Sequence, residues 1–411
     1  MSEKSDFKDK GASSRKLTKK KVLKITSVAV VALMVLVSFH QIRLNMSAVA
    51  SDDPPEYEPR ANAGYEDFYS YTGGMVNTAN GNLYFTQKDI SIKGRGFNIE
   101  IIRTFNSQER TNAYQQDWFG LGWTCNYFVY VQEIDGTGNV TLTEGDGSVH
   151  EYGYTDVDGY YLTPPGKHGR LEKNEIGTFV LRFLDGSVYN FNPQGKLYNI
   201  TDKNGNKLSF TYSLFGELIK IEDDSGMYLN LSYNGDKISN ITDSMGRKIT
   251  YTYFDNTITN VTDATGNYTL YSHLTIEPDP IALLTSVINK VGWRLNFSYV
   301  YNSSTDTYRV KDVYNSMWNY SSSSSYNSFR MYDFTYYDYK SSDPLNDIYC
   351  RTNITDARGY TTRVYMNDYG NPLKIEDPTA NATVTKWDFD FNKISYTDAK
   401  SNNYTYSYST Y

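Results

Sequence analysis

The stretch ISNITDSMGRKITYTY, Ile238 to Tyr253, sets the pattern that most of the chain follows. After Gly246, apolar and polar residues alternate: Ile249, Tyr251 and Tyr253 fall on one face of an extended strand, and Lys248, Thr250 and Thr252 on the other. Before the turn, Ile238 and Ile241 are the apolar positions. Their three-residue step breaks strict alternation, and a bulge near the turn accounts for it. Between the two runs, Asp243 is suited to hydrogen-bond turn amides and Gly246 to take the positive φ that returns the chain. Two strands of about five residues plus two turns make a unit of about twenty, a β-hairpin. One hairpin cannot bury its apolar face alone, so successive hairpins must pair edge to edge in a continuous sheet.

The unit recurs. Asp202 with Gly205, Asp223 with Gly226, and Asp263 with Gly266 repeat the turn at intervals of about twenty residues. Leu283 to Val300 begins with a helical look, but Val287, Gly292 and Tyr299 stand in register with the repeat, which makes it another copy. A polar interruption from Asn302 to Asp347 includes the run Ser321 to Ser325. The beat returns at Asp356 with Gly359, then decays: Ala380 and Ser401 stand where glycine is expected after Asp377 and Asp398. From Gly64 to about Val180 there are strands and turn signals, such as Gly81-Asn82, Asp135-Gly136 and Asp146-Gly147, without the periodic beat.

Composition agrees with strands. The chain of 411 residues has 40 Tyr and 19 Phe against 11 Pro and 4 His. Charge divides it. Residues 1–24 carry nine Lys and Arg against three acids, so the remaining body is strongly acidic, and with no basic stripe it argues against a nucleic-acid partner. The basic tail runs into the uncharged segment Ile25 to Phe39, which reaches spanning length if extended to Ile42. Two readings follow: an uncleaved membrane anchor, or a secretory signal cleaved after the small residues Ala48-Val49-Ala50. Either puts the lysine cluster (Lys16, Lys19, Lys20, Lys21, Lys24) inside and everything after Arg43 outside.

The expected organisation is a basic cytoplasmic tail at 1–24, a transmembrane or signal segment at 25–42 and a linker at 43–64. An introductory β domain follows at 65–180, then repeats at 181–301, a polar insertion or elaborated hairpin at 302–350, and further repeats at 351–411. The fold class is all-β tandem hairpins with one N-terminal membrane helix.

Units of the form Gly-x-x-x-x-Tyr … Gly-x-Leu … Ile-Thr-Asp-x-x-Gly resemble the YD repeats of the rearrangement-hotspot (Rhs) family, which includes the shell components of insecticidal toxin complexes and the animal teneurins. Val76 to Gln108 followed by Phe119 to Trp123 is similar to the domain that introduces such repeats. Gly81-Asn82-Leu83, Asp89, Arg103 with Phe105-Asn106-Ser107, and Gly120-x-Gly122-Trp123 match its pattern. The resemblance covers most of residues 70–411 and implies an extended, curved, shell-like sheet. The family's cleavage aspartates and C-terminal cargo domain have no counterpart here, so the expected role is that of wall. The terminal NNYTYSYSTY, with Tyr404, Tyr406 and Tyr408 on one face, leaves a strand edge uncapped. The chain is accordingly expected to be a truncated or split member, pairing at that edge with another polypeptide or with itself.

Three functional classes compete. The first is a non-catalytic surface scaffold or interaction protein; the second is a carbohydrate-binding adhesin whose aromatic rows stack on sugars. Against the second, the rings serve equally as the sheet's own packing, and Gly122-Trp123 and Gly292-Trp293 are isolated where sugar-binding repeats have such doublets in every unit. The third is an enzyme. The pair Asp223 and Asp224 offers acid–base chemistry, but the repeat aspartates recur at one turn position, as structural residues do. His150, His168 and His273 have no motif spacing, and Asp202 to Asn206 starts like a calcium loop but lacks the distal glutamate. No cofactor or metal is expected. Candidate glycosylation sequons begin at Asn139, Asn199, Asn230, Asn240, Asn260, Asn267, Asn296, Asn302, Asn319, Asn353, Asn381 and Asn403. Cys125 and Cys350 are a candidate disulfide or two separate buried thiols.

Overall fold

The computed structural model describes residues 69–108, 117–154, 160–277, 281–318, 326–339 and 343–408. The expected tail, membrane segment and linker (1–64), and Asn319, lie outside the described residues. The described residues form strands and turns with no helix. None therefore contains a helix long and apolar enough to cross a membrane.

Twenty-one strands, from Arg170–Lys173 to Asn403–Thr405, pair antiparallel in sequence order. Each Asp-x-x-Gly turn closes a hairpin in one way. Asp243 Oδ1 accepts the amides of Met245 (2.9 Å) and Arg247 (2.8 Å). The Asp243 amide donates to Arg247 O (3.0 Å), and the Gly246 amide to Asp243 O (3.0 Å). Gly246 sits at φ 81°. This is a three-residue loop, a type I turn closed by a left-handed residue that forms a bulge.

A second bulge lies at the far end of each unit. Register slips between Ser232 and Tyr233, opposite Ile238 and Asn240, which is the origin of the three-residue step from Ile238 to Ile241. The slip recurs between Thr211 and Tyr212 and between Thr252 and Tyr253. A bulge frees a carbonyl from the ladder, and the tyrosine of the next hairpin satisfies it. Tyr212 Oη donates to Leu197 O (2.7 Å), Tyr233 to Leu218 O (2.9 Å), Tyr253 to Ile238 O (2.7 Å) and Tyr299 to Leu284 O (2.8 Å). Trp387 Nε1 does the same for Pro372 O (3.0 Å). The periodic tyrosine thus locks each hairpin to the one before it.

The sheet curls. Laid flat, eighteen strand spacings would put the first strand and the Asp388–Asn392 turn roughly 85 Å apart. Yet the Gly166 amide, just before the first strand, donates to Asp390 O at 2.9 Å. The concave side of this curl is filled by residues 69–108 and 117–152. They form a three-stranded sheet (Tyr84–Lys93, Asn98–Asn106, Trp123–Cys125) and a second one (Tyr130–Glu133, Val140–Thr143, Val149–Tyr152). Many of the contacts between this inner domain and the repeats run in reversed order. Tyr69 packs on Gly370, where an added Cβ would lie 2.9 Å from the ring. Thr78 O accepts from Thr352 Oγ1 (2.6 Å) and Gly81 O from the Val310 amide (2.9 Å). Ser91 O accepts from Arg247 Nη2 (3.3 Å), the Arg95 amide donates to Asp223 Oδ2 (2.7 Å), and the Val131 amide to Gly195 O (2.9 Å). One apolar core, from Val76 through Ile241 to Met366, therefore belongs to both parts.

Candidate functional site

The most polar point of that shared core is an ionic clamp. On Tyr84–Lys93 the register slips between Lys88 and Ile90, so Asp89 is the extra residue of a bulge. Arg103, across the hairpin, is fully buried. Its Nε and Nη2 grip Asp89 Oδ2 (2.5 Å) and Oδ1 (2.8 Å) in a bidentate pair. Two tyrosines of the repeats complete it. Tyr251 Oη donates to Asp89 Oδ2 (2.8 Å), and Tyr271 Oη accepts from Arg103 Nη2 (3.0 Å). The guanidinium carbon lies 4.5 Å from the Trp123 ring centre. Trp123 Nε1 donates to His273 Nε2 (3.2 Å).

Burial would lower the Arg103 pKa, but the Asp89 carboxylate outweighs it and holds the guanidinium charged. Burial raises the phenols of Tyr251 and Tyr271 far from ionisation at neutral pH. Burial, helped by Arg103, pushes the His273 imidazole down to about 4. It is thus neutral, accepts at Nε2, and carries its proton at Nδ1. Burial likewise pushes the Cys125 thiol up to about 12, which makes it a poor nucleophile. Nothing in this cluster is poised for group transfer; its chemistry is to tie the inner domain to two hairpins of the sheet.

The repeat-turn residues all sit in the hairpin turns. Asp202, Asp263 and Asp356 accept the same two turn amides as Asp243 does. Gly205, Gly226, Gly266 and Gly359 take φ between 81° and 85°. Asp223 accepts from Ser225 and Met227 and also from Arg95 of the inner domain. Its neighbour Asp224 instead meets Lys207, so the two carboxylates do not converge. Among the described residues no three His, Cys, Asp or Glu side chains gather as metal ligands. Of the sequon residues, Asn139, Asn199, Asn230, Asn240, Asn260, Asn267, Asn296, Asn302, Asn353, Asn381 and Asn403 all keep some exposure.

The candidate Cys125–Cys350 disulfide is not formed, and both thiols are buried. Cys125 faces Arg103 on the inner sheet, whereas Cys350 opens a repeat strand between Asp338 and Met366, next to Ala79 O. They occupy different parts of the core. Sequence reasoning also missed the tyrosine-to-carbonyl bond. The signal was the recurrence of Tyr212, Tyr233 and Tyr253, each five or six residues before an apolar strand start.

A second feature lies beyond the inner domain. Val364, on the core side, is 2% exposed, and Ile375 is its cross-strand partner on the same face, yet Ile375 is 36% exposed. That face continues through Tyr396 to Tyr404, 48% exposed, and Tyr406, 44% exposed. Among the described residues, this face of the final hairpins lacks the cover that the others have.

Residues 73–152 match a family described as Domain of unknown function (DUF6531). The chain is 31% identical over 166 residues to the tRNA nuclease WapA of Bacillus subtilis (strain 168), an overlap of 39% of this chain and 7% of that protein. The tRNA3(Ser)-specific nuclease WapA of Bacillus spizizenii matches to the same extent. The chain therefore spans about 7% of the length of these curated relatives. Among solved structures, TcdB2-TccC3-Cdc42 is similar over 81% of this chain and 20% of that one, with TM-score 0.33 and 11% identity. The Photorhabdus luminescens Tc holotoxin pore is similar over 80% and 21%, with TM-score 0.34 and 8% identity.

Proposed function

We propose that this chain is a non-catalytic, Rhs-like YD-repeat scaffold displayed outside the cell, a segment of β-shell wall that presents its last hairpins to another polypeptide. The Ile-Thr-Asp-x-x-Gly units and the similarity to the WapA proteins support the family reading. The lysine cluster before Ile25 supports the outside location. The observation that carries the interaction role is the exposed core-side face at Ile375, Tyr404 and Tyr406. Exposed apolar faces mark interaction surfaces. Sedimentation of the chain from residue 51 onward tests this. Self-association that is abolished by Tyr404→Lys with Tyr406→Lys is expected. A monomer at micromolar concentration, unaffected by those changes and capturing no strand partner, would refute it.

The same rings favour carbohydrate as a second reading. Tyr396 and Tyr404 present ring centres 6.1 Å apart on an exposed face, a spacing on which sugars can stack. Binding of a soluble glycan that the double lysine variant abolishes, without self-association, would select it.

A further inference from the structure

Where the inner domain meets the first hairpins, the two parts leave a cavity of about 500 Å³ between them. That volume falls in the range of small-molecule sites. Its walls are aromatic: Trp118, Tyr127 and Phe128 from the inner domain face Phe179 and Tyr212 from the sheet. Trp118 and Phe128 meet edge to face with centres 4.7 Å apart, and Tyr127 is set against Phe210 at 5.2 Å. The Tyr212 hydroxyl is already committed to Leu197 O.

Thr124, Gln132, Thr143 and Gln194 add neutral polar groups to the lining, and Glu133 also lines it, but its carboxylate is held by Lys173. Lys196 is different. Its amide is fixed by Asn192 Oδ1 (2.9 Å) in the Asn192–Gly195 turn, and the residue lines the cavity. Its ammonium donates to Gly216 O (2.7 Å) and lies 5.4 Å from the Tyr212 ring centre. An ammonium has three donors, so two remain for a ligand. No carboxylate of the described residues forms a salt bridge with Lys196, and the only influence on its pKa is burial, which lowers it. A half-buried cation without a counter-ion beside an aromatic-walled space is complementary to one kind of molecule.

We propose that the cavity binds a planar aromatic carboxylate, its ring among Trp118, Tyr127 and Phe128 and its carboxylate on Lys196. This goes beyond the scaffold reading and stands independently of it. Calorimetric titration of the full chain with naphthalene-2-carboxylate, and with the neutral naphthalene-2-carboxamide, tests the proposal. One site per chain is expected, with quenching of tryptophan fluorescence and carboxylate binding about tenfold tighter than the amide. Lys196→Gln should bring the carboxylate down to the affinity of the amide and leave the amide unchanged. Lys196→Arg should keep the preference. Absence of carboxylate binding, or equal affinity for the two compounds in the unaltered chain, overturns the proposal whether or not the variants fold. A Lys196→Gln protein that folds and retains the tenfold preference overturns it as well.

Discussion

Replacing Arg103 by Met removes the cation at the centre of the clamp and leaves Asp89 buried without its partner. Arg103 is fully buried, and the Asp89 side chain is 2% exposed, so solvent cannot compensate the carboxylate. Breaking a buried pair from one side costs about 3–5 kcal/mol. Tyr251 would still donate to Asp89, which places the expected loss toward the lower part of that range. Removing both charges should be far milder. Arg103 Nη1 already has no hydrogen-bond partner, so the native pair is incompletely satisfied. An Asp89→Leu, Arg103→Met protein should therefore recover at least half of the loss. Urea unfolding followed by tryptophan fluorescence is the assay, since Trp123 lies against the guanidinium. If Arg103→Met costs less than about 1 kcal/mol, or the double variant is no more stable than either single one, the clamp is not what joins the two parts.

Tyr253→Phe should cost about 1–2 kcal/mol in the same assay, because the bulge carbonyl of Ile238 loses its donor; Tyr404→Phe, on the exposed face, should cost nothing measurable. Ala380 and Ser401 occupy the left-handed turn position at φ 67°, so Ala380→Gly and Ser401→Gly should each stabilise by about 1 kcal/mol, read as a rise in Tm. The reverse change, Gly246→Val, should destabilise by about 1–3 kcal/mol through backbone strain alone, since no atom lies within 4 Å of an added Cβ there. His273 makes a pH prediction. Unfolded histidine titrates near 6.5 and the folded one near 4, so the unfolded state alone takes up the proton between those values. Stability should fall as pH drops from 6.5 to 4, by up to about 3 kcal/mol, and His273→Gln should flatten that window in pH-dependent urea midpoints.

What the sequence made legible was local. The Asp243–Gly246 turn and the alternation of Ile249, Tyr251 and Tyr253 are dictated by neighbouring residues, so the hairpin unit could be read directly. The step from Ile238 to Ile241 signalled a bulge, but the hydroxyl that satisfies it comes from Tyr253, fifteen residues further on, and only the strand register brings the two together. The clamp was less legible still. Asp89 and Arg103 stood out in the introductory pattern, but Tyr251 and Tyr271 are more than 140 residues away in the chain. Their meeting depends on the curl of the whole sheet. For the same reason the burial of the inner domain inside the concave side had no local sign. An arginine between Ile102 and Thr104 reads as a strand-edge residue until its partners are placed around it.

The central claim is that the inner domain and the repeat sheet are one cooperative body with the clamp as their joint. Hydrogen exchange of the unaltered and Arg103→Met proteins, followed peptide by peptide, tests it most directly. The account predicts that amide protection falls together in Asn98–Asn106 of the inner sheet and in the Lys248–Phe254 and Tyr268–Ile276 strands of the repeats. Protection lost in Asn98–Asn106 alone, with both repeat strands exchanging as in the unaltered protein, would contradict it.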